Sequence, residues 1–164
     1  MLRDPSLRPL SRQHQHALAL CVRIERTSRT GKLDLEAWQA ELQQIFELEI
    51  QQHFAAEERE IFPAAARFSS LEALVKELIA EHGVLRDLFT QAGARRLDGE
   101  GIRRLAMLLE AHIRREERQL FEGMQQMMGA EELAAIGKAV DTMLEGSGPA
   151  CALPPKGSGS VRET

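Results

Sequence analysis

His53–Phe62 reads HFAAEEREIF, and His112–Phe121 reads HIRREERQLF. Both reduce to H-x-x-x-E-E-R-x-(I/L)-F, and the second copy starts 59 residues after the first (53 to 112). The chain has only five histidines, so writing two of them into the same frame carries information. On an α-helix, residues i and i+4 share a face. His53 therefore points with Glu57, and His112 with Glu116. An imidazole and a carboxylate one turn apart can share metal ions, the imidazole as a terminal ligand and the carboxylate as a bridge. Iron, manganese and zinc all accept that donor set.

Outward from the two motifs the chain reads as helix. Leu, Ala, Glu, Gln and Arg dominate, all strong helix formers. Ser11 is a suitable N-cap for a first helix over about 11–30, stopped by Gly31. Asp34 can cap a second over about 34–66, with Pro63 expected to kink it or end its regular part. Ser69 and Glu72 have capping-box spacing and open a third, about 70–93. The loop GARRLDGEG leads to a fourth, about 100–127, broken by Gly129. A shorter amphipathic helix follows at about 131–144. The spacing predicts an all-α, up-down-up-down four-helix bundle with a short additional C-terminal helix. Residues 1–10, with Pro5 and Pro9, are expected as an extended lead-in, 11–145 as the bundle domain and 146–164, rich in Gly, Ser and Pro, as a disordered tail.

At about 1.5 Å of rise per residue, distances measured from the turns put a histidine from each helix at one level: His14 or His16, His53, His82 and His112. His14 shares a face with Leu18, Cys21 and Val22 and is the favoured helix-1 candidate; His16 is held in reserve. Glu58, Glu60, Glu81 and Glu117 read as solvated charges. Burying two HxxxE pairs at one depth is costly unless a cation compensates them. An ordinary helical interaction module without metal is the bland alternative.

The formal net charge of −4 and the interleaved acids and bases argue against nucleic-acid binding. No apolar run reaches the ~20 residues of a membrane span, and MLRDPSLRPLSRQ lacks the apolar core of a signal peptide. A cytoplasmic location is the expectation. Cys21 and Cys151 read as free thiols.

The chain resembles the hemerythrin-like (HHE cation-binding) domain family over roughly residues 8–128. The matching text is PLSRQH, HFAAEEREIFP, EHGVLRDL and HIRREERQLF. The resemblance implies a four-helix bundle around two oxo- or hydroxo-bridged iron ions, with manganese or zinc as alternatives. His14, His53, His82 and His112 would be terminal ligands, and Glu57 and Glu116 would bridge. Oxygen-carrying hemerythrins have a further histidine one turn before His82; here that position is Leu78. With two histidines, two shared carboxylates and the bridge, each iron would keep one open position for O2, NO or peroxide. That symmetry favours sensing or handling of such ligands, or of iron itself, over dedicated O2 transport; an enzyme consuming peroxide or O2 is the alternative. Signalling would need a protein partner or a second copy of the chain, and helix 131–144 either docks such a partner or packs on the bundle.

Overall fold

A computed structural model describes residues 2–31 and 33–145. Five helical rods make up the fold, and no strand occurs among the described residues. Helix α1 is Arg8–Arg29, α2 covers residues 35–66, α3 is Ser69–Gly93, α4 covers 99–127 and α5 is Ala130–Leu144. The connections are too short to cross the bundle, so successive rods run antiparallel. α1 lies along α4, α2 along α3, and α3 along α4. The all-α up-down-up-down bundle is as expected. The tail expected at 146–164, with Cys151, lies outside the described residues.

Asp34 caps its helix as expected, whereas Ser11 and Ser69 do not cap theirs. Asp34 accepts a hydrogen bond from the Ala37 N–H at 3.0 Å, and Asp98 from the Gly101 N–H at 2.7 Å, so both cap their helices as side-chain acceptors. Gly31 follows α1 with φ of 67°, the left-handed turn that glycine adopts freely. The lead-in is shorter than expected: Pro5–Leu7 form a 3-10 turn and α1 already begins at Arg8. Ser11 is therefore not the cap; its hydroxyl donates to Glu117 on α4 at 2.7 Å. Ser69 is likewise the first helical residue rather than the cap, and Glu72 accepts from Lys76 at 2.6 Å instead of closing a capping box.

The long rods are not uniform. α2 contains π-helical turns at Phe46–Ile50 and Glu57–Ile61, and α4 contains one at Glu116–Leu120. Two of the three begin at the repeated motif carboxylates, a common location for such turns in functional helices. Pro63 does not end α2, which continues to Ala66. It follows the wide turn in which the Phe62 N–H reaches back to the Glu57 carbonyl.

The core is split in two. Leu20, Ile24, Leu42, Phe54, Phe89, Ile102 and Leu109 belong to one buried apolar cluster. Leu10, Phe62, Leu78, Phe121 and Met124 belong to a second. Four histidines and two glutamates lie buried on the same rods, between the two. α5 closes the second cluster with Leu133 and Val140. Its Gly137 sits so close to the N-terminal turn that an added Cβ would stand 2.6 Å from Ser6 Cβ. Gln52 ties it down by donating to the Met143 carbonyl at 2.8 Å. The apolar face of α5 is therefore occupied within the molecule, so that of the two alternatives for this helix it packs on the bundle.

Candidate metal centre

Each rod of the bundle delivers at least one imidazole to the polar layer. α1 brings His14, α2 His53 and Glu57, α3 His82, and α4 His112 and Glu116. Glu57 and Glu116 are fully buried and the histidines nearly so. His53 and His112 stand one turn from their motif glutamates, with Nε2 to carboxylate distances of 3.1 Å in both pairs. The histidines meet at one level, as helical rise predicts: His14 and His53 have their Nε2 atoms 2.9 Å apart, and His82 and His112 have theirs 3.0 Å apart.

Both carboxylates span the two histidine pairs. Glu57 turns Oε1 toward His14 and His53 and Oε2 toward His82, at 3.6, 3.1 and 3.4 Å. Glu116 turns Oε2 toward His14 at 3.2 Å and Oε1 toward His112 at 3.1 Å. None of these four oxygens accepts a hydrogen bond from the protein. Buried carboxylate oxygens without donors are costly, and here two such groups lie side by side.

The other imidazole nitrogens explain why donors are lacking. His14 Nδ1 lies 2.7 Å from Glu117, while His82 Nδ1 and His112 Nδ1 each lie 2.8 Å from Glu58 and Glu81 respectively. His53 Nδ1 lies 2.8 Å from Gln13 Oε1. Each acceptor calls for the proton on Nδ1, which leaves Nε2 as a lone pair. Four Nε2 atoms and four carboxylate oxygens thus converge, and only cations, protons or metal ions, can reconcile them. The atoms form two overlapping groups, His14–His53–Glu57–Glu116 and His82–His112–Glu57–Glu116, each with its donor atoms within 4.8 Å of one another. Both groups fit a metal ion, and they share both glutamates.

Glu58, Glu81 and Glu117 are not the solvated charges expected from sequence. They form an outer ring that orients the imidazoles, and an arginine backs each one. Arg86 donates to Glu58 at 2.6 Å, Arg3 donates to Glu117 at 2.6 Å, and Arg115 pairs with Glu81 and Glu77. Such partners fix the ring and raise its basicity as a ligand. The ring follows the repeat: the second glutamate of each motif holds a histidine of another rod, and the residue just before His14 or His82 holds the motif histidine. It departs from the repeat at one place, where Gln13 stands in the role of Glu81. Adjacency to the motifs was the one available sequence signal, and it cannot say which rod a side chain will reach.

Electrostatics record the same demand for positive charge. Burial opposes the His112 imidazolium, but the Glu116 carboxylate and the contacts with Glu116 and Glu81 outweigh it and raise the group to about 10. Burial and the neighbouring Glu57 charge push Glu116 up, but His112 and His14 hold it down to about 2. Burial opposes the charged form of His14 too, and Glu116, Glu117 and Glu57 raise it well above the ordinary imidazole range. Glu57 would be raised by burial, but His53, His14 and His82 hold it well below the carboxylate range.

Apolar walls complete the site. Phe54 stacks on His82 with ring centroids 3.8 Å apart, and Phe121 lies parallel to His14 at 5.6 Å. Comparison with known families agrees with this donor set: the Hemerythrin HHE cation binding domain matches residues 6–143. The chain belongs to the hemerythrin HHE cation-binding domain family. The match extends the resemblance read over 8–128 through α5, consistent with α5 packing on the bundle. No curated protein and no solved structure matches the chain significantly. In this hemerythrin-family domain Leu78 is fully buried in the second apolar cluster, so the position one turn before His82 carries no donor. His16 does not take its place. It is largely exposed, with Nδ1 3.2 Å from Glu49. No helix among the described residues is long and apolar enough to cross a membrane.

Proposed function

We propose that this domain binds two iron ions through His14, His53, Glu57, His82, His112 and Glu116, and uses them to sense or handle O2, NO, peroxide or iron. The observation that carries the reading is the set of four carboxylate oxygens without donors, facing four imidazole lone pairs in two groups that share both glutamates. Glu57 and Glu116 would bridge the ions, and the histidines would cap them. Imidazole and carboxylate accept iron, manganese and zinc alike; iron follows from the family, in which the bound pair supplies redox chemistry with small oxygen and nitrogen ligands. The chain's own contribution is to hold the imidazoles in one tautomer, to keep bulk water out with Phe54, Phe62 and Phe121, and to distribute each carboxylate over both sites.

The test is anaerobic Fe(II) loading followed by air exposure, with metal analysis and an absorption spectrum. Two ions per chain are expected, with near-ultraviolet charge-transfer bands that azide shifts. Glu116→Ala should lower the content below two. A wild-type chain that takes up no stoichiometric metal would instead favour a helical interaction module. Sustained peroxide turnover, lost in His53→Ala, would show an enzyme rather than a binding protein.

A further inference from the structure

One buried carboxylate is not used by the site just described. Glu49 is 4% exposed, and its Oε1 accepts no hydrogen bond from the protein. It stands one turn before His53, inside the π-helical turn Phe46–Ile50. The repeat makes it stand out: 59 residues on, one turn before His112, the corresponding residue is Leu108, half-buried against the first apolar cluster. α4 is plain α-helix there, with no π turn to match.

Glu49 lines a small cavity together with Gln13, His14, His53 and His112. The cavity is about 10 Å³, close to the smallest that admits one water-sized molecule. Its remaining lining is apolar, including Ile50 and Leu109. Three of the four imidazoles, His14, His53 and His112, thus border it, so the cavity adjoins the centre. From outside, His16 holds Glu49 Oε2 at 3.2 Å, which leaves Oε1 for the interior.

We propose that Glu49 selects, among the small exogenous ligands that reach the centre by this cavity, those that carry a proton. The inference rests on the two-iron reading above. A carboxylate oxygen accepts a hydrogen bond from water, hydrogen peroxide or a hydroperoxide and repels a bare anion. An unsatisfied acceptor in an apolar cavity discriminates strongly, because a ligand without a donor leaves it unpaired. Glu49 is thus a specificity-determining residue on one side of a centre whose six donors are otherwise arranged by a two-fold repeat.

The experiment compares Glu49→Gln and Glu49→Leu, the latter copying the repeat partner Leu108, with the wild type. Each protein is loaded with iron and oxidised in air. Metal content is measured first, then azide affinity by titration of the charge-transfer band, then the spectral response to hydrogen peroxide. Azide carries no proton at neutral pH, so both variants should keep two ions and bind it about ten-fold more tightly, equivalent to ~1.4 kcal/mol. Their response to peroxide should slow, more in the leucine variant, which has no acceptor. Azide affinity within two-fold of wild type, at full metal content in either variant, overturns the proposal. So does loss of one ion in both variants, which would make Glu49 a ligand. Wild-type metal content reads the two-iron assignment, and the variant-to-wild-type azide ratio reads this one, so the two fail separately.

Discussion

The buried His–Glu layer of this domain is legible residue by residue, but the control of its side chains is not. His53 and Glu57, and His112 and Glu116, are paired by helical spacing alone, and the same arithmetic brings His14 and His82 to their level. Glu58, Glu81 and Glu117 look like surface acids in the sequence, and each in fact orients an imidazole from a different rod. The ring also makes the two candidate sites unequal. The His82–His112 side has two carboxylates behind its imidazoles, whereas the His14–His53 side has Glu117 and the neutral Gln13. Glu81→Gln removes that difference while keeping the shape. It should weaken one of the two metal-binding events by roughly 10- to 100-fold, the range for outer-ring partners of metal-bound histidines. Competition of Zn(II) against a chromophoric chelator reads this directly, and a mutant isotherm identical to wild type would remove Glu81 from the ring.

At the scale of elements, apolar stripes and the Asp34 cap placed the rods to within a few residues, whereas π turns left no usable pattern. An apolar spacing of seven or eight residues, as from Phe54 to Ile61 and Phe62, suits a regular helix as well as one with an inserted residue. The attachment of α5 was also open, because an amphipathic stripe does not say what covers it. Gly137 answers that by contact. Alanine is favoured over glycine in a helix by about 1 kcal/mol, yet at 137 the new Cβ would press on Ser6, with Ser6 Cα at 2.8 Å. Backbone cannot swing aside as a flexible side chain can, so overpacking of ~1–3 kcal/mol should win. Gly137→Ala should therefore lower the urea midpoint. Gly83→Ala, on α3 with nothing within 4 Å of the new Cβ, should raise it, stabilising the fold by about 0.5–1 kcal/mol. Two alanines of equal effect would mean that α5 does not bear on the N-terminal turn.

For the whole molecule, the polar layer divides one bundle into two apolar halves and ties stability to cations. In the metal-free protein those cations are protons. His112 titrates at about 10 in the folded chain against 6.5 ordinarily, so its contribution is complete below about pH 6.5 and is lost as pH rises through about 10. Glu116 titrates at about 2 against 4.5, so its contribution is present above about pH 4.5 and lost as pH falls toward 2. Urea midpoints of chelator-treated protein should therefore peak between about pH 4.5 and 6.5. Metal binding displaces the protons, so the alkaline decline should disappear in the loaded protein. Equal alkaline declines with and without metal would show that the ions do not occupy this layer.

The sequence by itself determined the helical class, the four-rod layout and five of the six inward side chains, with His14 favoured over His16 as the sixth, because helical periodicity is a local property and a doubled motif repeats it. Tertiary structure alone decided what each donor faces. Which glutamate steadies which imidazole, how Glu57 and Glu116 spread over both pairs, where α5 rests and why Glu49 is left beside a cavity all depend on contacts between rods. Those contacts run from Glu58–His82, 24 positions apart, to Ser6–Gly137, at opposite ends of the described chain, and no spacing along a single helix encodes them.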